Sequence, residues 1–348
     1  MSLRILMSLT VGIMMLYLNM TANATLGKVE LRNVSQFEIS ESIMEMSNTA
    51  KITIPKDYSK LDQKTILEYF KVGDKVTISA GYYRDDFTDF ANEFTGYIRE
   101  IGTDIPLIIH CDDETYPLRQ NNLIKSYKDT SLKQVLTDII PKSLSFECPD
   151  IKLGRFQIDN ESSFQVLQRI KNDYGLYSRL LDGHLLVNLR DIVSGKDVKT
   201  THTYVLNPMT SAGSLTKKND LKFKRKEDYK LHVKVTSMTP DGKKKTIQVG
   251  NKDKGASLIQ FTYPGKHTEA DLRKIATSIY NNRCYDGYTG TITGFGIPRT
   301  HAGDALIIDD KADADRAGKY LIEKVVITYD DSNGYSRNNT LSYRLGDS

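Results

Sequence analysis

From Gly290 to Leu345 the chain is a succession of short runs that only a tightly turned antiparallel sheet accommodates. The runs 290–298, 301–308, 318–325, 327–329 and 340–345 are β-branched or aromatic, and Gly, Pro, Asp or Asn bounds each one. Such residues pack well on a pleated surface, while the bounding residues supply the backbone freedom of turns, here including Asn333-Gly334. The pattern predicts a small closed or nearly closed sheet.

An earlier stretch repeats the phrase. Val72-Gly73-Asp74 leads into the alternating run Lys75 to Ile78, and Gly96-Tyr97 leads into a second, in the order that Gly303-Asp304 and Gly318-Lys319-Tyr320 show later. A Gly-Asp pair turns the backbone where φ must be free, and the period of two that follows sets Val76 and Ile78 on one face. Gly73, Asp74, Gly96, Gly303, Asp304 and Gly318 are therefore the candidate structural turns of a repeated unit. The fold class that follows is mainly β with an α/β insertion: two related small β-barrels per chain and an α+β domain between them.

The helical part lies in the middle. Ser131-x-x-Gln134 and Ser162-x-x-Gln165 read as capping boxes, each opening an amphipathic helix, and Gly175 is placed to end the second. A hairpin across Asp182-Gly183 follows. A last helix spans 269–283, with Leu272, Ile275, Ile279 and Tyr280 on its apolar side. The predicted organisation is an apolar extension or misplaced start over 1–14, a first β-barrel over 15–118, an α/β insertion over 119–200, and a second β-barrel over 201–348. The alternating hairpin 231–249 is assigned to that second β-domain.

Composition narrows the function classes. The 48 Lys and Arg against 44 Asp and Glu leave a formal charge of +4, which makes no case for a dedicated nucleic-acid binder. The runs 217–226 and 243–245 are locally basic and read first as solvated strand edges that discourage aggregation. Three widely spaced cysteines, Cys111, Cys148 and Cys284, do not make a disulfide framework. The amino terminus has two readings: residues 4–24 imitate a secretory signal with Ala22-Asn23-Ala24 as cleavage site, or 16–20 is already a strand. The apolar stretch is too short to span a membrane.

No local catalytic or cofactor motif is present. His110, Cys111, Asp112, Asp113 and Glu114 are adjacent, but alternate strand residues point to opposite faces and cannot all converge on one metal. Asp309, Asp310, Asp313 and Asp315 hint at calcium, yet the EF-hand frame would place Lys324 where a carboxylate is needed. No catalytic, cofactor-binding or metal residue is assigned, and no cofactor is expected.

Two stretches carry a resemblance. The helix-then-glycine pattern 163–176 with its Asp182-Gly183 hairpin, and the closing order Gly290 to Gly294, Gly296-Ile297-Pro298, Gly303-Asp304, Gly318 to Ile322, Tyr329, Asn333-Gly334-Tyr335 and Leu341, resemble the central hub protein of contractile phage tails. That family includes the late-control D proteins and the amino-terminal part of type VI secretion spikes, and 47–55 looks like its early strand. The resemblance implies a homotrimer in which three chains set six similar barrels in a ring. It implies as partners the tail tube ring, the spike trimer and other baseplate proteins, with DNA or effector passing without sequence-specific binding. It implies no catalysis, no membrane span, and a place in the virion tail baseplate after assembly in the bacterial cytoplasm. The alternative, from the signal-like start and the tyrosine content, is a secreted β-rich carbohydrate-binding protein or glycoside hydrolase.

Overall fold

The computed structural model describes residues 19–345 except 33, 56–65, 85–86, 103, 182, 190–197, 199, 207–215, 239–242, 265–266 and 313–316. Seven strands come first: β1 (Asn19–Leu26), β2 (Val29–Arg32), β3 (Gln36–Ser42), β4 (Thr49–Ile54), β5 (Lys75–Arg84), β6 (Phe87–Ile101) and β7 (Leu107–Asp113), with the single-turn helix α1 (Ile66–Tyr69) before β5. The middle segment alternates β8 (Asn122–Ser131), α2 (Leu132–Ile139), β9 (Ser145–Glu147), β10 (Lys152–Ser162), α3 (Ser163–Tyr174), β11 (Leu176–Leu181) and β12 (His184–Leu189). The last part holds β13 (Thr201–Leu206), β14 (Thr216–Asn219), β15 (Lys222–Lys224), β16 (Leu231–Met238), β17 (Lys244–Gly250), β18 (Ser257–Pro264), α4 (Glu269–Arg283), β19 (Gly287–Phe295), β20 (Ala305–Asp310), β21 (Gly318–Tyr329) and β22 (Ser336–Arg344).

The molecule is mainly β with α/β elements, as its sequence indicates. Strands from both ends of the chain join in one 14-stranded sheet, ordered β14-β19-β22-β21-β3-β4-β7-β6-β5-β1-β2, with β13, β15 and β20 alongside. Among the described residues no ladder closes either half into a separate barrel; the two halves fuse through β21 and β3. Alternation decides what the sheet covers. Ile39, Ile52, Ile78, Ile98, Ile109, Ile292, Ile308, Ile322 and Ile327 are fully buried in one continuous apolar cluster. Each contributes on the order of 1.5–3 kcal/mol relative to exposure.

The helices form as their caps predict. Ser131 Oγ accepts from the Gln134 amide, Ser162 and Gln165 cap α3 reciprocally, and Gly175 closes it in the left-handed conformation at φ 67°. The buried faces of α2 and α3 share a second core with Phe156, Ile158, Leu185 and Val187. The 231–249 hairpin differs from its expected place. With β18 it forms a separate three-stranded sheet, on which α4 lays Leu272, Ala276 and Ile279 to make a third core. A one-sided hairpin carries no mark of which sheet it joins, and here α4 covers its apolar face before any strand of the large sheet does.

Two parts of the sequence reading meet the structure unevenly. Ala22 and Ala24, the small residues of the signal-like motif, are buried in β1 opposite Ala80 and Ile78. Residues 1–18 lie outside the described residues. No helix among the described residues is long and apolar enough to cross a membrane.

Candidate assembly site

The repeated phrase proves to be a repeated set of hydrogen bonds. Gly73 and Gly303 have φ of 91° and 100°, in the region that favours glycine. The Gly73 amide donates to the Ile98 carbonyl at 2.8 Å and the Ile98 amide to the Asp74 carbonyl at 2.9 Å. The Gly303 amide donates to the Ile322 carbonyl at 2.9 Å and the Ile322 amide to the Asp304 carbonyl at 2.9 Å. Ile98 and Ile322 are thus equivalent positions.

Equivalence continues across each half. Ile98 pairs with Cys111 and Glu100 with His110, leaving Arg99 as a bulge; Ile322 pairs with Leu341 and Lys324 with Thr340, leaving Glu323 as a bulge. Both bulged side chains reach the next residue of the facing strand: Arg99 pairs with Asp112 at 3.1 Å, and Glu323 accepts from Ser342 at 3.1 Å. A bulge at one place in both ladders marks a shared design, since it fixes twist and register together. From there Cys111 pairs with Ala50 and Ala50 with Ile39, while Leu341 pairs with Gly290. The partner of Gly290 falls at Leu221, because Lys222 pairs with Thr289 and the Asp220 amide donates to the Thr291 carbonyl. The strand orders β3-β4-β7-β6-β5 and β14/β15-β19-β22-β21-β20 are therefore the same.

Gly96 and Gly318 do not correspond. Gly96 pairs with Val76 and Gly318 with Ile308; counted from the Gly-Asp turns, the counterpart of Gly96 is Tyr320, opposite Leu306. Gly96 is required for a local reason, since a Cβ there would lie 2.2 Å from the Asp112 carbonyl oxygen. Asp74 accepts from the Lys71 amide, and Asp304 from the His301 amide, at 2.9 Å each, so both aspartates brace their turns.

The halves meet along β21 and β3, where Lys324 to Tyr329 pair with Ser42 to Phe37. Ile327 and Ile39 are directly opposed and fully buried, and Tyr329 stacks on Phe37 with ring centres 5.4 Å apart. His301 caps the seam through Glu41, at 3.1 Å; that hydrogen bond, against the effect of burial, holds the imidazole pKa above its ordinary value.

A polar knot that no sequence pattern announced lies beside the seam. Arg337 and Glu93 are fully buried as an ion pair. Arg337 also donates to the Gly296 carbonyl at 2.7 Å and the Thr300 carbonyl at 2.9 Å. Tyr335 donates to Glu93, Tyr82 donates to the Tyr335 carbonyl, and Arg299 bridges Glu93 at 3.2 Å and Asp89 at 2.9 Å. Burial opposes charge on Arg337, but the Glu93 carboxylate outweighs it and raises the guanidinium pKa. These bonds join β5 and β6 of one half to β22 and the 296–300 loop of the other.

Among the described residues no group of three His, Cys, Asp or Glu is placed to hold a metal. Asp310 takes the Tyr288 hydroxyl and Asp309 pairs with Lys311, while Asp313 and Asp315 lie outside the described residues. Burial pushes the Cys111 thiol up to about 12, which leaves it a protonated core residue.

No family model matches the chain, and no curated protein does. Solved structures match its fold over nearly the whole length. The 43 kDa tail protein of prophage MuSo2 from Shewanella oneidensis superimposes with a TM-score of 0.59 at 16% identity, covering 93% of this chain and 98% of that one. The tail protein of Neisseria meningitidis MC58 gives 0.61 at 14% identity, over 94% and 96%. A type VI secretion component from E. coli, described as structurally similar to the T4 tail proteins gp27 and gp5, gives 0.54 at 10% identity, over 93% and 79%. The chain shares the fold of these phage-tail and secretion proteins.

Proposed function

We propose that this protein is a structural component of a phage or phage-like contractile tail: a central baseplate hub that, as a trimer, forms a pseudo-sixfold ring between the tail tube and the spike. The observation that carries this reading is the duplicated unit fused in-sheet through β21 and β3. A chain holding two equivalent wall units meets a sixfold neighbour on one side and a threefold neighbour on the other when three copies close. The strands of the large sheet, β1–β7, β13–β15 and β19–β22, supply the wall, and the segment from β8 to β12 stands on it. Gly73-Asp74 and Gly303-Asp304 are its matching turns.

On this reading DNA or effector passes through the bore without base contacts, no reaction is performed, and the protein works in the virion baseplate after assembly in the cytoplasm. The fold shared with the Shewanella and Neisseria tail proteins supports it. Light scattering on the purified chain tests it. The expected mass is that of a trimer, with a central hole in negative-stain averages, and a well-folded monomer at high concentration would refute it.

A further inference from the structure

The seam inside one chain specifies the seam between chains. β3 uses one edge for β4 and the other for β21. Its counterpart, the β14–β15 edge, is paired with β19 on one side only among the described residues. The counterpart of β21 beyond Ile322 is the end of β6 beyond Ile98, where Arg99 and Glu100 are exposed. Phe223, 39% exposed with its ring edge-on to Tyr288 at 5.9 Å, stands on the β15 edge where Glu41 stands on β3.

We propose that the β14–β15 edge of one copy adds antiparallel to the end of β6 of a second copy, in the register that sets Phe223 opposite Ile101 and Lys224 opposite Glu100. This rests on the trimeric-ring reading and names its interface. The register is not free: within the chain Glu41 faces Val325 and Ser42 faces Lys324, and the equivalences above carry those pairs to Phe223 with Ile101 and Lys224 with Glu100. Charge agrees, since Lys218 and Lys222 on one edge would approach exposed Glu100 and Asp104 on the other. The polarity is opposite to the internal seam, where β3 brings Glu38 and Glu41 to a strand carrying Lys324. Such a reversal discourages a copy's β14–β15 edge from displacing its own β3. Lys218 and Lys222 of the basic run thereby acquire a partner: a second copy of this chain.

The inter-copy seam is shorter than the internal one, because β6 ends at Ile101 whereas β21 continues to Tyr329. The experiment is a double substitution, Ile101→Cys with Phe223→Cys, oxidised in the full-length protein and resolved without reductant. Directly opposed antiparallel residues lie within disulfide reach, so linked dimers and trimers are expected, with neither from the single variants. A protein that is trimeric by light scattering yet forms no link would overturn this seam and leave the ring reading standing. A monomeric native chain would overturn both. Glu100→Lys, at an exposed position, sets like charge against Lys222 and Lys224 of the neighbouring copy and should abolish the oligomer while leaving the thermal midpoint of the monomer unchanged; an intact oligomer would equally overturn the proposal.

Discussion

The two β units share turns, bulge and strand order, yet among the described residues they pair their edges differently. In the second unit β21 runs past Ile322 to Tyr329 and takes β3 as a neighbour. In the first, β6 ends at Ile101 and the chain returns through Gly102, whose amide donates to the Ile108 carbonyl. Connections differ too: the second unit carries β16–β18 and α4 between β15 and β19, where the first joins β3 to β4 through residues 43–48 alone. Insertions fall in the connections while the ladder register is preserved, because a one-residue slip would turn every core side chain outward.

The polar knot tests whether the halves are one cooperative body. Replacing Arg337 by Met leaves Glu93 charged and buried, and should cost about 3–5 kcal/mol in chemical denaturation. Adding Glu93→Gln should recover part of that loss, and additive effects would show that the pair does not couple the halves. Tyr329 and Ile105 are next, the first on the covered extension of β21 and the second in the exposed turn that follows β6. Tyr329→Ala should cost about 3–5 kcal/mol in the isolated chain, whereas Ile105→Ala should stay within about 0.5 kcal/mol. Equal losses would mean that the end of β6 is already covered.

Smaller effects sharpen the equivalence. Gly73→Ala and Gly303→Ala should each cost about 1–3 kcal/mol, and a large disparity would break the claim that the two turns are alike. Lys224, the counterpart of Ser42, is held by burial at a pKa of about 8, below the ordinary 10.5. A depressed folded-state pKa contributes stability that is complete above 10.5 and lost as pH falls through 8. The thermal midpoint should therefore rise between these pH values, and Lys224→Met should remove that rise.

Much of the local architecture was legible. The serine cap at Ser131, which lacks the reciprocal glutamine bond of a full box, the capping box at Ser162, the glycine stop at Gly175, the span of α4 and the two Gly-Asp turns follow from spacing that neighbouring residues enforce on one another. The likeness of Gly96 to Gly318 was misleading, since a two-residue offset in register is invisible to phrase matching. The pairing of Glu93 with Arg337, 244 residues apart, had no signal in sequence: charged residues on alternating strands ordinarily face water, and only the tertiary fold puts this pair inside.

The sequence by itself determined which segments are strands, which are helices and where the chain turns, because these depend on backbone sterics and on periods of two and 3.6 residues over a few neighbours. The tertiary structure decided which edges meet. Every strand offers the same amide and carbonyl groups to any partner, so the joining of β21 to β3 and the separate sheet beneath α4 were fixed by the packing of the whole chain.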